Sequence, residues 1–430
     1  MQDHLLKFDG RGFLHCQQVL AEYLPGLDPG LTPLSADTAM LAGATQTALV
    51  RAYGEADGAR ILQVAGVIEK KPLTEKKALA LLVERDTSTL PARPGAGVPD
   101  GWHLDEVNVR TAWQEHWGGP DHIDWGKVRV GQIDTGYTPH TVFGFNGQPW
   151  IDVQGARTFF AQGADEGDEG PGLGIDPLAG QMDGHGTRIA SVICGYDPGA
   201  PDGTYLGVAP RVPLVPVRIA NTVLITHAQK ELAQALRYLV NDAKVSVINL
   251  SMGFLPHSQM KVLDQAIDEA YLAGVIFVCA AGQPLRYVVS PAHGRRTIAA
   301  AGTTFGSVPW GNSAYGPSVD WAAPAAYIYR AEMRKPATAA YAGRGDGTSY
   351  ATAISSGAAA LWLARHADAV ALKYPEPWQR VEAFKHVART AARPMPNQQP
   401  GSFGAGILNI GALLNLPLPP SSTLKQESPA

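Results

Sequence analysis

The sequence predicts an α/β fold in which a parallel β-sheet is flanked by helices, preceded by a smaller, mainly helical N-terminal domain. Three observations support this prediction. Beyond about residue 100, short runs rich in Val and Ile alternate with amphipathic stretches of helical period; a nearly all-apolar helix follows late in the chain; and residues 1–88 show mainly helical spacing of apolar residues. Alternating strands and helices are typical of βαβ units, whose strands pair in parallel.

The N-terminal region is predicted to be a domain of its own. Apolar residues recur at helical spacing, with good helix formers between them, in segments 15–25, 36–54 and 74–86. The Pro- and Gly-rich residues 89–100 then indicate a linker to a larger domain at 101–415.

The larger domain carries the α/β pattern. Runs typical of buried strands lie at 127–134, 212–219, 245–253 and 274–282. Amphipathic helices are predicted between the last three runs, at 227–243 and 259–273. The apolar segment 347–366 is predicted to be a helix in the middle of the molecule, and residues 416–430 a disordered tail.

Composition and charge exclude some classes of function. The chain has 430 residues, 45% of them hydrophobic, with a formal net charge of -4 and a pI near 6.3, so no electrostatic feature favours nucleic acid or an anionic membrane as partner.

The first residues resemble no secretory signal, and no apolar run approaches the roughly 20 residues that a membrane helix needs. Cys16, Cys194 and Cys279 are isolated, which favours free thiols over a disulfide framework, although a bridge between the last two remains open. We expect a soluble cytoplasmic protein.

Three polar residues are candidates for catalysis. Asp134 ends the run 127–134 beside a Gly turn, His185 is flanked by glycines in MDGHGT, and Ser349 begins the buried helix. Each has an ordinary structural alternative, because acids cap loops and helices, a histidine can start a helix, and serine is among the best helix caps. Asp183 and His185 could also be metal ligands, but no further His or Asp cluster supplies the remaining ligands.

Taken together, the three residues fit a nucleophile, a general base and an orienting acid. Serine needs a neighbouring histidine to remove its proton, and the histidine needs a carboxylate to fix its tautomer. The order Asp, His, Ser along the chain is one of the known orders of this triad, and no GxSxG elbow supports the rival order of α/β-hydrolases.

These motifs resemble the signatures of the subtilisin-like (subtilase) serine peptidase family. The signatures are DTG at 134–136, GHGT at 184–187 and GTSYA at 347–351. Further landmarks, among them LGVAP, VINLSMG, SPAH and FGAGILNIGALL, extend the resemblance over about residues 101–415. The resemblance implies a subtilisin-like fold and hydrolysis of peptide bonds through an acyl-enzyme, with Asp134, His185 and Ser349 as the triad. It also implies that the main chain of Ser251, Met252 and Gly253 pairs with an extended substrate.

The chain departs from the family pattern at two positions of functional importance. Gln283 stands where the AAGN turn of the family has the asparagine that donates a hydrogen bond to the oxyanion. Its alternative role is that of a simple turn residue. Val289 stands where the family has a glycine at the base of the primary specificity pocket, which predicts a shallow pocket and small residues before the scissile bond.

Cofactor and regulation are less constrained by the sequence. No cofactor is required by the predicted chemistry, although the acidic loop 164–170 could bind calcium, as in many family members, attract basic substrate segments, or simply lie in solvent. Residues 1–88 lie where the family carries its inhibitory propeptide, and they are either that inhibitor or a regulatory module that stays attached. The sequence therefore predicts a serine endopeptidase with protein or peptide substrates; the alternative is a weakly active or inactive peptide-binding scaffold, which the glutamine at 283 suggests.

Overall fold

The computed structural model describes four strand segments within residues 1–97 and most of the chain from 98 to 429. The omitted stretches of that second part are 160–173, 179–181, 198–204, 226, 255–258, 284–286, 335–337, 397 and 399.

The four N-terminal strands form an antiparallel sheet in the order β2-β3-β1-β4. They are β1 Gln2–Phe8, β2 Thr32–Pro33, β3 Gln46–Ala52 and β4 Val67–Pro72. The prediction of a helix over 36–54 is therefore wrong at residues 46–52. Ala and Leu in this segment are good helix formers, but pairing on both sides, with β1 and β2, fixes it as a strand. The other segments predicted to be helical, 15–25 and 74–86, lie outside the described residues.

An eight-stranded, mostly parallel sheet forms the centre of the larger domain. Its strands are β5 Val130–Asp134, β6 Arg157–Thr158, β9 Leu214–Arg218, β10 Val247–Leu250, β11 Ile276–Ala280, β12 Ile298–Thr304, β13 Val308–Pro309 and β14 Trp321–Pro324. The order is β13-β12-β11-β10-β5-β9-β6, with β14 pairing on β12, and β13 is the antiparallel member. Two small antiparallel pairs accompany it, β7 Tyr196–Asp197 with β8 Tyr205–Leu206 and β15 Ile328–Arg334 with β16 Thr338–Gly345.

Helices cover the sheet, as the alternating pattern predicts. They are α1 Trp102–Glu106, α2 Val109–Trp117, α3 His185–Cys194, α4 Gln229–Asn241, α5 Lys261–Leu272, α6 Thr348–Lys373, α7 Trp378–Ala391 and α8 Ile410–Asn415. The first sixteen residues of α6, from Thr348 to Leu363, are all buried, which confirms a central helix. Among the described residues, no helix is long and apolar enough to span a membrane.

Parallel pairing brings the ends of three strands to one edge of the sheet. The central strands β5, β10 and β11 are neighbours and run in the same direction. Asp134 is the last residue of β5, Ser251 follows β10, and Gln283 follows β11 by three positions. Ligands of open parallel sheets bind outside these carboxyl ends, so this edge is where a site is expected.

The C-terminal segment 416–430 is not the predicted disordered tail, because its described residues pack against the helices. Tyr374 donates from its hydroxyl to the Pro419 carbonyl at 2.8 Å, and Arg296 donates to the Glu427 carbonyl at 2.8 Å. The Glu427 N–H in turn donates to the Tyr271 hydroxyl at 3.0 Å. The segment lacks apolar periodicity, and its main chain is held instead by side chains that precede it by tens of residues.

Candidate active site

Asp134 and His185 form a buried hydrogen-bonded pair. The distance from His185 Nδ1 to Asp134 Oδ1 is 2.7 Å, and the two residues are only 2% and 1% exposed. A carboxylate accepts only, so Nδ1 carries the proton and Nε2 presents a lone pair. The Thr135 N–H donates to the same oxygen at 2.7 Å, whereas Oδ2 has no partner among the described residues. This geometry orients the imidazole as a general base requires.

Ser349 lies at the second position of α6, locked to the end of β10. Its hydroxyl donates to the Ser251 carbonyl at 3.2 Å, and the Ser251 hydroxyl donates to the Ser349 carbonyl at 3.1 Å. Within the described part of the chain, no hydrogen bond joins Ser349 to His185. Catalytic hydrogen bonds often form only with substrate, and a change of one side-chain torsion redirects a serine hydroxyl.

A buried asparagine strengthens the connection between β10 and α6. Asn249 donates from Nδ2 to the Ser251 hydroxyl at 3.2 Å and accepts at Oδ1 from the Ser356 hydroxyl at 3.0 Å. Asn249 and Ser356 are both fully buried. The end of the strand is therefore hydrogen-bonded to the first and third turns of the helix.

The amide of Gln283 has a fixed orientation. Its Oε1 accepts from the Thr348 N–H at 2.8 Å and from the Thr348 hydroxyl at 2.6 Å, and that hydroxyl accepts from the Gly282 N–H at 3.1 Å. A main-chain N–H can only donate, so the atom that faces Thr348 must be the oxygen. The Nε2 donors consequently face away from Thr348.

Val289 fills the space between two glycines of the predicted specificity pocket. A Cβ atom built on Gly253 would lie 2.6 Å from one Val289 methyl, and one built on Gly282 would lie 2.7 Å from the other. Val289 itself is 7% exposed. The valine therefore reduces the depth available between these two segments.

The predicted substrate-pairing strand already has a partner at Gly253. The Gly253 N–H donates to the Val223 carbonyl at 3.0 Å, and the Gly253 carbonyl accepts from the Ile225 N–H at 3.0 Å. The bridge between Leu224 and Gly253 is parallel. A peptide antiparallel to both segments would have to lie between them, so the segment 223–225 occupies the hydrogen-bonding groups that a substrate would use. Met252, 2% exposed, has its side chain in the core.

An ionic cluster connects the starts of α3 and α6 through the β15–β16 hairpin. Glu332 accepts from Arg188 at 3.0 Å and from Arg330 at 2.8 Å, and Arg330 also donates to the Tyr350 hydroxyl at 2.6 Å. Burial alone would raise the pKa of Glu332, but the two guanidinium groups outweigh it and the pKa lies below its usual value. The charged carboxylate is thus stable at neutral pH although it is buried.

Metal binding finds no support in the described residues. No group of three or more His, Cys, Asp or Glu side chains gathers there in a way that could hold a metal ion. His185 bonds to Asp134 rather than acting with Asp183, whose carbonyl accepts from Arg188 at 2.9 Å. The acidic loop 164–170 lies outside the described residues, so calcium binding there stays a prediction.

The sequence identified the main residues of this edge but missed several that support them. Gln132 and Asn249 could have been noticed, because each is a polar residue inside an otherwise apolar strand. Thr348, which holds Gln283, gave no separate signal beside Ser349. Asp176, discussed below, lies in a loop without periodicity, 42 residues after Asp134, so that only the fold brings it to the site.

Known proteins resemble this chain in sequence. Residues 126–406 match the model of the subtilase family, Peptidase S8. The chain is 27% identical over 319 residues to alkaline elastase YaB of Bacillus sp. (strain YaB), covering 72% of this chain and 69% of that protein. It is 28% identical over 331 residues to an extracellular protease of Xanthomonas campestris pv. campestris, covering 71% of this chain and 53% of that protein.

The fold agrees with a solved structure. The proteases from Pseudoalteromonas arctica PAMC 21717 superpose with a TM-score of 0.58 at 21% identity, covering 73% of this chain and 96% of that one.

Proposed function

Because the chain belongs to the subtilase family of serine peptidases, we propose that it is an endopeptidase that hydrolyses protein substrates through an acyl-enzyme on Ser349. One observation supports this mechanism most directly. The 2.7 Å pair of His185 and Asp134 lies at the end of β5, and Ser349 is bound to the residue that follows the adjacent strand β10.

The proposed reaction has two halves. Ser349 Oγ attacks the carbonyl carbon of the scissile peptide while its proton passes to His185 Nε2, and Asp134 stabilises the imidazolium. The oxyanion accepts from the Ser349 N–H and from Gln283 Nε2. His185 then protonates the leaving amine as the C–N bond breaks. Water, deprotonated by His185, attacks the resulting ester, and Ser349 recovers its proton as the new carboxylic acid leaves.

A fluorophosphonate probe tests this proposal, because it phosphonylates only an activated serine. We expect labelling of the wild-type protein that disappears in Ser349→Ala. Ser318→Ala, which removes an exposed serine elsewhere, is the matched control and should label like the wild type. If the mature wild-type protein is not labelled, the alternative of an inactive peptide-binding scaffold is favoured instead.

The substrate proposal concerns the residue before the scissile bond. The two Val289 methyl groups between Gly253 and Gly282 support a preference for small side chains at that position. A peptide library digested by the protein tests it, and a clear preference for bulky aromatic residues would contradict it.

The N-terminal region is proposed to inhibit the catalytic domain before activation. A mainly helical region would favour a retained module, and the four-stranded antiparallel sheet weighs against that alternative. N-terminal sequencing of the wild type and of Ser349→Ala tests the proposal: self-removal predicts a new N-terminus near residue 100 in the wild type alone.

The cytoplasmic location stays a prediction. Three relatives are named extracellular proteases and one is named an intracellular protease, and none of these names places this chain in a compartment. Fractionation of cells that produce the protein would decide.

A further inference from the structure

A second buried carboxylate, Asp176, lies beside the Asp134–His185 pair. Asp176 is 3% exposed and accepts three hydrogen bonds. Its Oδ2 accepts from the Thr135 hydroxyl at 2.7 Å and from the Gly184 N–H at 2.9 Å, and its Oδ1 accepts from the Leu178 N–H at 2.8 Å. All three partners donate, so an acceptor-only carboxylate fits this position and an amide does not.

Thr135 extends this arrangement to the other side of His185. Its hydroxyl donates to Asp176 and accepts from the Gly186 N–H at 3.0 Å. His185 is therefore flanked by two main-chain N–H groups that are both hydrogen-bonded, that of Gly184 to Asp176 and that of Gly186 to Thr135. Thr135 also directly follows Asp134 in the chain, so the pair connects the backbone of the acid to the backbone of the base.

The contact between these two backbones is close. A Cβ atom on Gly186 would lie 1.9 Å from the Gly136 carbonyl oxygen, so only glycine permits this approach. Gln132 adds a further bond on this side, from its Nε2 to the Gly186 carbonyl at 2.8 Å. Backbone groups packed this tightly transmit a small displacement of one loop directly to the other.

We propose that Asp176 is a positioning residue, which acts with Thr135 to hold the His185 backbone where the imidazole meets both Asp134 and the substrate. This inference rests on the proposed peptidase function. Burial raises the pKa of Asp176, against the three donors that lower it, and the neighbouring Asp134 carboxylate raises it further. Keeping a second carboxylate here is therefore costly, which a residue without a role would not require.

Isosteric substitutions test the proposal. Thr135→Val and Asp176→Asn each remove hydrogen bonding without changing shape, and a misplacement of the base by a fraction of an ångström lowers the rate more than it weakens binding. We expect kcat to fall by about 10- to 100-fold with KM within about threefold of the wild type. Thr135→Ser keeps the hydroxyl and should restore kcat to within about threefold.

The control is another buried threonine. Thr303 is fully buried, and its hydroxyl has no hydrogen-bond partner among the described residues. Thr303→Val should leave kcat and KM unchanged, which separates loss of a buried hydroxyl in general from loss of this one. A second readout does not need turnover: the proton NMR resonance of His185 Nδ1–H should broaden or move in Thr135→Val and stay in Thr135→Ser.

The outcomes distinguish this inference from the function on which it rests. If the wild type neither labels with fluorophosphonate nor cleaves peptides, the proposed function fails. If the wild type is active, and Thr135→Val and Asp176→Asn keep its kcat and its Nδ1–H resonance, the positioning role is overturned. A rise in KM alone, or equal losses in the serine and valine variants, would also overturn it.

Discussion

Gln283 uses the two atoms of its amide differently. The oxygen is bound by Thr348 through two hydrogen bonds, and the nitrogen is left to donate elsewhere. Glutamine has one methylene more than asparagine, so the sequence alone did not show where its amide would lie. The longer side chain is accommodated because its oxygen bonds to Thr348, the first residue of α6. The residue identity was visible in the sequence, whereas its anchor depended on a contact over 65 positions.

Substitution of Gln283 should therefore lower the rate, and only a residue that keeps an oxygen for Thr348 should leave the stability of the fold unchanged. Gln283→Ala removes the Nε2 donor, and we expect kcat to fall by about 100- to 1,000-fold, as when one oxyanion donor is removed from a subtilisin. Gln283→Glu retains an oxygen for Thr348 but has no donor, so it should be at least as slow, with unchanged thermal stability. Steady-state kinetics on one peptide substrate measures both, and wild-type rates in the two variants would mean that this amide contributes nothing.

Val289 should set the size limit for the residue before the scissile bond. Val289→Gly removes both methyl groups between Gly253 and Gly282, and the deeper space should admit large side chains. One methylene in a hydrophobic pocket changes discrimination by about 10- to 200-fold, so we expect the ratio of kcat/KM for Phe over Ala substrates to rise by about tenfold or more. Val288→Gly, at the adjacent buried position, is the control. An unchanged ratio in Val289→Gly would contradict the assignment.

At the scale of elements, the strand pattern predicted the sheet centre well. The runs 127–134, 212–219, 245–253 and 274–282 became β5, β9, β10 and β11, each shorter than the run that predicted it. Helix α6 is longer than predicted, because residues beyond the buried part keep good helix formers on an exposed face.

The sequence did not predict the elements that are fixed by contacts with other segments rather than by their own pattern of apolar residues. The β15–β16 hairpin has no distinctive apolar alternation, and its antiparallel register together with the Arg188, Glu332 and Arg330 cluster holds it in place. The strand β3 and the packed C-terminal segment belong to the same class. The partners of β3 and of the C-terminal segment are remote in sequence, as Arg188 is for the hairpin, and local propensity alone is a weak guide.

The contact between segment 223–225 and Gly253 has a kinetic consequence. A peptide that pairs with Gly253 must first displace two 3.0 Å hydrogen bonds, from Gly253 to Val223 and from Ile225 to Gly253. If this separation precedes binding, the observed association rate of an extended peptide aldehyde should reach a plateau with concentration. Stopped-flow fluorescence measures this rate.

The control for this experiment is a small alkyl fluorophosphonate. It reaches Ser349 without pairing with the strand, so its rate should rise linearly over the same concentration range. A linear dependence for the peptide aldehyde up to the highest usable concentration would show that the segment does not have to separate first.

At the scale of the whole molecule, the site depends on one contiguous arrangement of sheet edge and helix starts. Asp134 ends one strand, Ser251 follows its neighbour, and α3 and α6 bring His185 and Ser349 to the same edge. The sequence predicted this convergence because parallel strands end together. It did not predict which side chains would be buried without partners, since that depends on packing from several elements at once.

His103 is such a buried side chain, and it makes stability depend on pH. It is 1% exposed, neither ring nitrogen has a hydrogen-bond partner among the described residues, and burial, with a smaller effect from Arg110, lowers its pKa to about 3. The unfolded chain binds a proton near pH 6.5 and the folded one does not. The contribution of neutral His103 is therefore complete above about pH 6.5, and it is lost as the pH falls from there toward 3, at about 1.4 kcal/mol per pH unit.

His103→Leu should remove this dependence. The free energy of unfolding, measured by urea denaturation between pH 4 and 7, should fall less steeply with acidification in His103→Leu than in the wild type. The two slopes should differ by about 1.4 kcal/mol per pH unit, which is the contribution of one bound proton. His122→Gln changes an exposed histidine and should keep the wild-type slope. Two further histidines with lowered pKa values, the buried His140 and the partly buried His366, leave a residual slope in every variant. Equal slopes in His103→Leu and the wild type would mean that His103 is protonated, or reaches solvent, in the folded protein.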